Sequence, residues 1–116
     1  MAKRLVDPTR AAAYCALVPS ISNIAREFGY AVGVHGSMNT DLDLMLVAWT
    51  EEATPPEDVI QAITAYVGGS KRRVDVEPYP KPHGRLSWTI YLTQEGVESH
   101  GVVGPYLDIS VIPPRS

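Results

Sequence analysis

The sequence predicts an α+β fold: a two-layer sandwich in which two helices cover one face of a mixed β-sheet. Three observations lead there. Leu17, Ile21, Ile24 and Phe28 recur at helical spacing, as do Val59, Ile60, Ile63, Tyr66 and Val67. Other segments alternate polar and apolar residues or run apolar, the strongest being Asp41 to Trp49 (DLDLMLVAW). Their order is helix, strand, strand, helix, strand, strand, strand, with no repeat and no linker, so residues 1–116 read as a single domain.

Asp7-Pro8 opens the first helix as an N-cap followed by proline in the first turn. Pro19 interrupts its apolar face and predicts a kink or two abutting helices, and Gly29 closes the element. Tyr30 to His35 reads as a short strand, and Gly36 to Thr40 as a tight turn into the strand Asp41–Trp49. Thr54-Pro55-Pro56-Glu57 matches a capping box, with Thr54 as cap and Glu57 returning the bond; Gly68-Gly69 ends that helix. Val74 to Glu77 alternates as a strand. The prolines of the loop Pro78–Gly84 forbid helix there. Leu86 to Leu92 alternates apolar Leu86, Trp88, Ile90 and Leu92 against Ser87, Thr89 and Tyr91. A loop with Gly96, Gly101 and Gly104 leads to the last strand, Tyr106 to Ile112, which Pro113-Pro114 stops.

Composition narrows the function. An apolar fraction of 45% and a charged fraction of 20% are those of a globular domain. Ten Lys and Arg against thirteen Asp and Glu give a net charge of -3, which argues against a dedicated nucleic-acid binder. Cys15 is the lone cysteine, so no internal disulfide forms and a reducing, cytoplasmic setting is expected. The N-terminus shows no signal peptide, and the longest uncharged apolar run, Leu44 to Trp49, is too short to span a bilayer. Cys15, His35, His83 and His100 lack zinc spacing. His35 reads as a buried strand histidine, and Trp49, Trp88 and Tyr91 read as core or rim packing.

The carboxylates carry the chemistry. Asp41 and Asp43, two apart at a strand's start, leave one face roughly 6–7 Å apart. Such a pair repels unless a cation or hydrogen bonds offset it. Asp108 is isolated between Leu107 and Ile109, and aspartate is depleted from strands. If the two strands are neighbours, the three carboxylates form a nest for Mg²⁺ or Mn²⁺; otherwise Asp41 ends a turn and the others are solvated edge positions. Gly36-Ser37 lets backbone and hydroxyl approach a phosphate, or is a plain hairpin turn. In Lys81-Pro82-His83-Gly84-Arg85 a stiff loop presents Lys81 as a point charge and Arg85 as a bidentate phosphate partner, or is a solvated loop. Charge is asymmetric: Lys71 to Arg85 holds five basic and two acidic residues, while Asp41 to Asp58 holds six acids and no base.

Together Gly36-Ser37, Asp41-x-Asp43 and the later strand residue Asp108 resemble the nucleotidyltransferase superfamily that includes DNA polymerase β. The resemblance implies a minimal nucleotidyltransferase-like domain, spanning Tyr30 to Ile112, that binds an NTP with two Mg²⁺ ions. It implies Asp41, Asp43 and Asp108 as metal ligands, and Asp108 as the residue activating an acceptor hydroxyl. Gly36, Ser37, Lys81 and Arg85 then contact the nucleotide, and Arg85, facing the carboxylates across a cleft, is expected to be catalytic as well, its guanidinium aimed at the phosphates as charge develops. The family usually places a longer segment with a short helix between Gly-Ser and Asp-x-Asp; here only Met38, Asn39 and Thr40 intervene. The patches HGS-x3-DLDL, KPHGR-x-x-W and YLDIS are also similar to those of small bacteriophage and prophage proteins, for which no activity is implied. The expected function is Mg²⁺-dependent transfer of a nucleotidyl group from an NTP to an unknown acceptor, with no membrane partner and a homo-oligomer left open. Its rival is an inactive phage-type interaction module that keeps the fold.

Overall fold

Two helices pack on one face of a mixed sheet in the computed structural model, which describes residues 8–68, 78–92 and 105–114. The elements are α1 (Pro8–Glu27), β1 (Tyr30–His35), β2 (Leu42–Ala48), α2 (Pro56–Val67), β3 (Tyr79–Pro80), β4 (Leu86–Tyr91) and β5 (Tyr106–Ile112). The sheet order is β1-β2-β5-β4-β3, four full strands and a two-residue edge strand. Among the described residues only β2 and β5 pair in parallel; the other pairs are antiparallel. The expected cap Asp7, the strand Val74–Glu77 and the glycine loop 96–104 lie outside the described residues.

The core follows from alternation. Leu42, Leu44 and Leu46 of β2 stand in register with Leu107, Ile109 and Val111 of β5, and all six are fully buried. Trp88 and Ile90 extend this layer across β4. Against it lie Tyr14, Ile21 and Ala25 from α1 and Val59, Ile60 and Ile63 from α2. Burying an aliphatic side chain of this size contributes about 1.5–3 kcal/mol, so the layer is the main stabilising element. The odd-numbered residues of β2, Asp43, Met45 and Val47, fall on the second face, half-buried or exposed.

Four local expectations are corrected. α1 is one continuous helix through Pro19 and not two abutting helices, and Pro19 faces solvent. The Cys15 carbonyl, whose helical donor Pro19 removes, is on the exposed side. Thr54 does not cap α2: the N-cap is Pro55, with no side-chain cap bond, and Pro56 at the first helical position has no amide. Thr54 instead donates its amide to the Phe28 carbonyl and accepts the Tyr30 hydroxyl on its own carbonyl. Pro82–Gly84 forms a single 3₁₀ turn, which tolerates proline at its start, after the edge strand β3. Tyr66 is 48% exposed at the margin of the α2 stripe, whereas Thr64 is buried and returns its hydroxyl to the Ile60 carbonyl at 2.7 Å.

The α1–β1 junction depends on Gly29. Its φ of +91° suits a helix C-terminus in the left-handed region, and a Cβ there would meet Ala53 Cα at 2.6 Å and Thr50 Oγ1 at 2.8 Å. The close approach lets Trp49 donate its amide to the Gly29 carbonyl at 2.9 Å. Gly29→Ala is expected to destabilise the domain by more than about 2 kcal/mol, since backbone strain and a backbone clash combine. Urea unfolding checks this, and a loss below half that size would show that the 50–53 turn gives way easily.

Candidate metal centre

The parallel β2–β5 pairing sets Asp43 opposite Asp108. Partner residues in a sheet share a face, about 4.8 Å apart in the hydrogen-bonding direction. Asp41, two residues before Asp43 at the entry to β2, turns to the same side. One carboxylate oxygen from each of Asp41, Asp43 and Asp108 lies within 4.8 Å of the others, and all three residues are half-buried.

Each carboxylate is placed by different neighbours. Ser87 Oγ, buried on β4, donates to Asp108 Oδ1 at 3.1 Å. Gly36, at φ +80°, follows His35, the register partner of Asp43. A Cβ on Gly36 would lie 2.5 Å from Asp43 Oδ2, so the carboxylate occupies space that only glycine leaves open. Asp41 follows Thr40, whose carbonyl accepts the Tyr14 hydroxyl at 2.7 Å and Arg10 Nη1 at 3.4 Å. Met38 adopts φ +62°, packs against the core and accepts the Cys15 thiol at 3.7 Å. Residues of α1 thus hold the loop that carries Asp41.

The electrostatics match the crowding. Burial pushes the Asp43 carboxyl up to about 7, and side-chain hydrogen bonds to Asp41 and Asp108 together with their negative charge add to the rise. Hard carboxylate oxygens converging here suit Mg²⁺ or Mn²⁺, which would supply positive charge to offset the three carboxylates.

The structure brings Gly36 to the carboxylates, but other expected site residues lie elsewhere. Ser37 Oγ accepts the Asn39 amide at 3.2 Å and so closes the local turn. Arg85 shares the polar face of β4 but precedes β4 by one residue, four residues from Thr89, the partner of Asp108. At about 3.3 Å per residue that is roughly 13 Å along the strand. Its Nε donates to the Pro82 carbonyl at 3.2 Å, so Arg85 braces its own loop rather than facing the carboxylates across a cleft. Lys81 belongs to the same far end, its amide bonded to the Arg85 carbonyl at 2.9 Å. Lys71 to Arg73 lie outside the described residues.

His35 is exposed, not buried, since it ends the edge strand β1. Trp49 is 73% exposed, beside a groove of about 430 Å³ that Ser22, Arg26, Tyr30, Ala31 and Val32 also line and that holds none of the carboxylates. Tyr91 contacts the Tyr106 ring at 5.9 Å. Sequence reasoning missed Ser87 and Tyr14 as site residues. The polar alternation of β4 signalled Ser87, whereas nothing local to Tyr14 marks it. Comparison with protein-family models and with curated proteins found no match to this chain. Among the described residues no helix is long and apolar enough to cross a membrane.

The raised Asp43 carboxyl sets a pH dependence. Its folded value exceeds the unfolded one, so it stabilises the fold fully below pH about 4, and that contribution is lost as pH rises through about 7. In EDTA, melting temperature is expected to fall across this window, and Asp43→Asn to flatten the slope. Equal slopes for the two proteins would show that Asp43 does not hold the proton.

Proposed function

We propose that this chain is a nucleotidyltransferase-like domain that uses Mg²⁺ or Mn²⁺ to transfer a nucleotidyl group from an NTP to an acceptor hydroxyl. The observation that carries the reading is the convergence of Asp41, Asp43 and Asp108 from two adjacent strands. In this reading the three carboxylates hold the cation, which when bound neutralises charge on the phosphate oxygens. Asp108, oriented by Ser87, takes the proton of the acceptor hydroxyl. The acceptor oxygen then bonds to the α-phosphorus as the bond to the pyrophosphate oxygen breaks, and pyrophosphate leaves. Gly36 borders the Asp43 carboxylate, and main-chain groups of Gly36 and the adjoining Ser37 contact the phosphates. Arg85 and Lys81 take no part in this reading, because the sheet register sets them at the far end of β4.

A second reading, an interaction module that keeps the fold without catalysis, draws on that same placement of Arg85 and on the three-residue interval between Ser37 and Asp41. Calorimetry and thermal melts separate the two. Mn²⁺ at a hundred times its Kd is expected to stabilise the fold by about 2.7 kcal/mol, roughly 10 °C in melting temperature. Asp43→Asn and Asp108→Asn are each expected to abolish that response and to lower transfer about 100-fold or more. A wild type that binds the cation but gives no heat with ATP, CTP, GTP or UTP would favour the module. A melting curve indifferent to Mn²⁺ would remove the metal centre.

A further inference from the structure

We infer that Tyr14 is a positioning residue for the metal centre: its hydroxyl clamps together the two backbone segments that carry Asp41 and Asp108. The inference rests on the proposed role of those carboxylates, and its geometry is independent of it. Tyr14 is 1% exposed, on the face of α1 that packs against the sheet. Its hydroxyl donates to the Thr40 carbonyl, one residue before Asp41, at 2.7 Å. The same oxygen accepts the main-chain amide of Tyr106, two residues before Asp108. One buried oxygen therefore bridges the entry of β2 and the start of β5, the ends at which the carboxylates converge.

The clamp has electrostatic work to do. Three carboxylates within 4.8 Å repel one another, and the ladder that joins β2 to β5 starts only at Leu42 and Leu107. Asp41 precedes the ladder, so its distance from Asp108 is set by what holds Thr40. That is the Tyr14 hydroxyl, with Arg10 as a longer second donor to the same carbonyl. Without the hydroxyl, Asp41 relaxes away from the cluster and takes a cation ligand with it. Residues that orient metal ligands typically change affinity 10–100-fold when removed.

The test compares Tyr14→Phe, which keeps the ring and removes the clamp, with Tyr30→Phe. Tyr30 is equally buried, but its hydroxyl goes to the Thr54 carbonyl, away from the carboxylates. Mn²⁺ affinity, read by electron paramagnetic resonance of the free ion, is expected to fall about tenfold or more in Tyr14→Phe and to stay unchanged in Tyr30→Phe. Unchanged affinity in Tyr14→Phe, or an equal loss in both variants, would overturn the inference. A second measurement needs no metal. In EDTA at pH 8, Tyr14→Phe lets a repelling cluster relax, so part of its cost is recovered in wild type but not in Asp43→Asn. Its effect on the unfolding equilibrium constant is therefore expected to be about threefold larger in the Asp43→Asn background. Equal effects in the two backgrounds would refute the clamp. Should wild type bind no Mn²⁺, the proposed function fails and this coupling alone decides the role of Tyr14.

Discussion

Everything at the candidate site depends on one pairing, the parallel alignment of β2 with β5 that sets Asp43 opposite Asp108. A parallel pair cannot be closed by a hairpin, so the chain must leave the end of β2, traverse α2, β3 and β4, and re-enter the sheet in the same direction. That crossover lays α2 on the sheet. The faces then divide by parity: Leu42, Leu44 and Leu46 with Leu107, Ile109 and Val111 bury the helix-covered side, and Asp43 and Asp108 take the other. A one-residue slip of either strand would bury a carboxylate under the helices. The register that makes the core is thus the register that makes the site.

The site opposes its own fold. Core burial fixes the strands, and the strands hold together carboxylates that would separate in solution. Part of the conflict is relieved by hydrogen bonding: Ser87 donates to Asp108, and Asp43 retains a proton to about pH 7. Protonation and a cation are alternative answers to one excess of negative charge. A cation therefore competes with the Asp43 proton, and its binding strengthens as pH rises through that range. Acidic residues clustered in this way cost stability, a cost that a purely structural sheet has no need to carry.

Local pattern carried much of this into the sequence. The strands Tyr30–His35 and Tyr106–Ile112 have the bounds that alternation and flanking glycine or proline suggest, and β2 is shorter than its apolar run by a residue at each end. The Asp-x-Asp spacing and the lone Asp108 were legible because aspartate is out of place in an apolar strand. Register was not. Alternation assigns Arg85 to the correct face of β4 but says nothing of position along a neighbouring strand, and the face alone suggested proximity to the carboxylates. Thr54 misled for a different reason: the box pattern is there, but a second proline moves the helix start and leaves Thr54 to bond with Phe28 and Tyr30. Tyr14 is the limiting case, since its partner Thr40 is 26 residues away and no periodicity encodes such a bond.

The geometry also changes how a nucleotide would be held in the proposed reading. With Arg85 at the far end of β4, the described side chains whose charge acts on Asp43 are those of Asp41 and Asp108, and a polyphosphate brings still more negative charge to them. Main-chain groups of Gly36 and Ser37 supply partial charges only, and Gly36 already spends its open side on Asp43 Oδ2. Arg10 reaches the loop before Asp41, where its Nη1 donates to the Thr40 carbonyl. Among the described residues, attraction for phosphate then falls mainly to the cation itself. Nucleotide and metal would bind as one unit, each weak without the other, and the loop braced by α1 would govern both because it fixes Asp41.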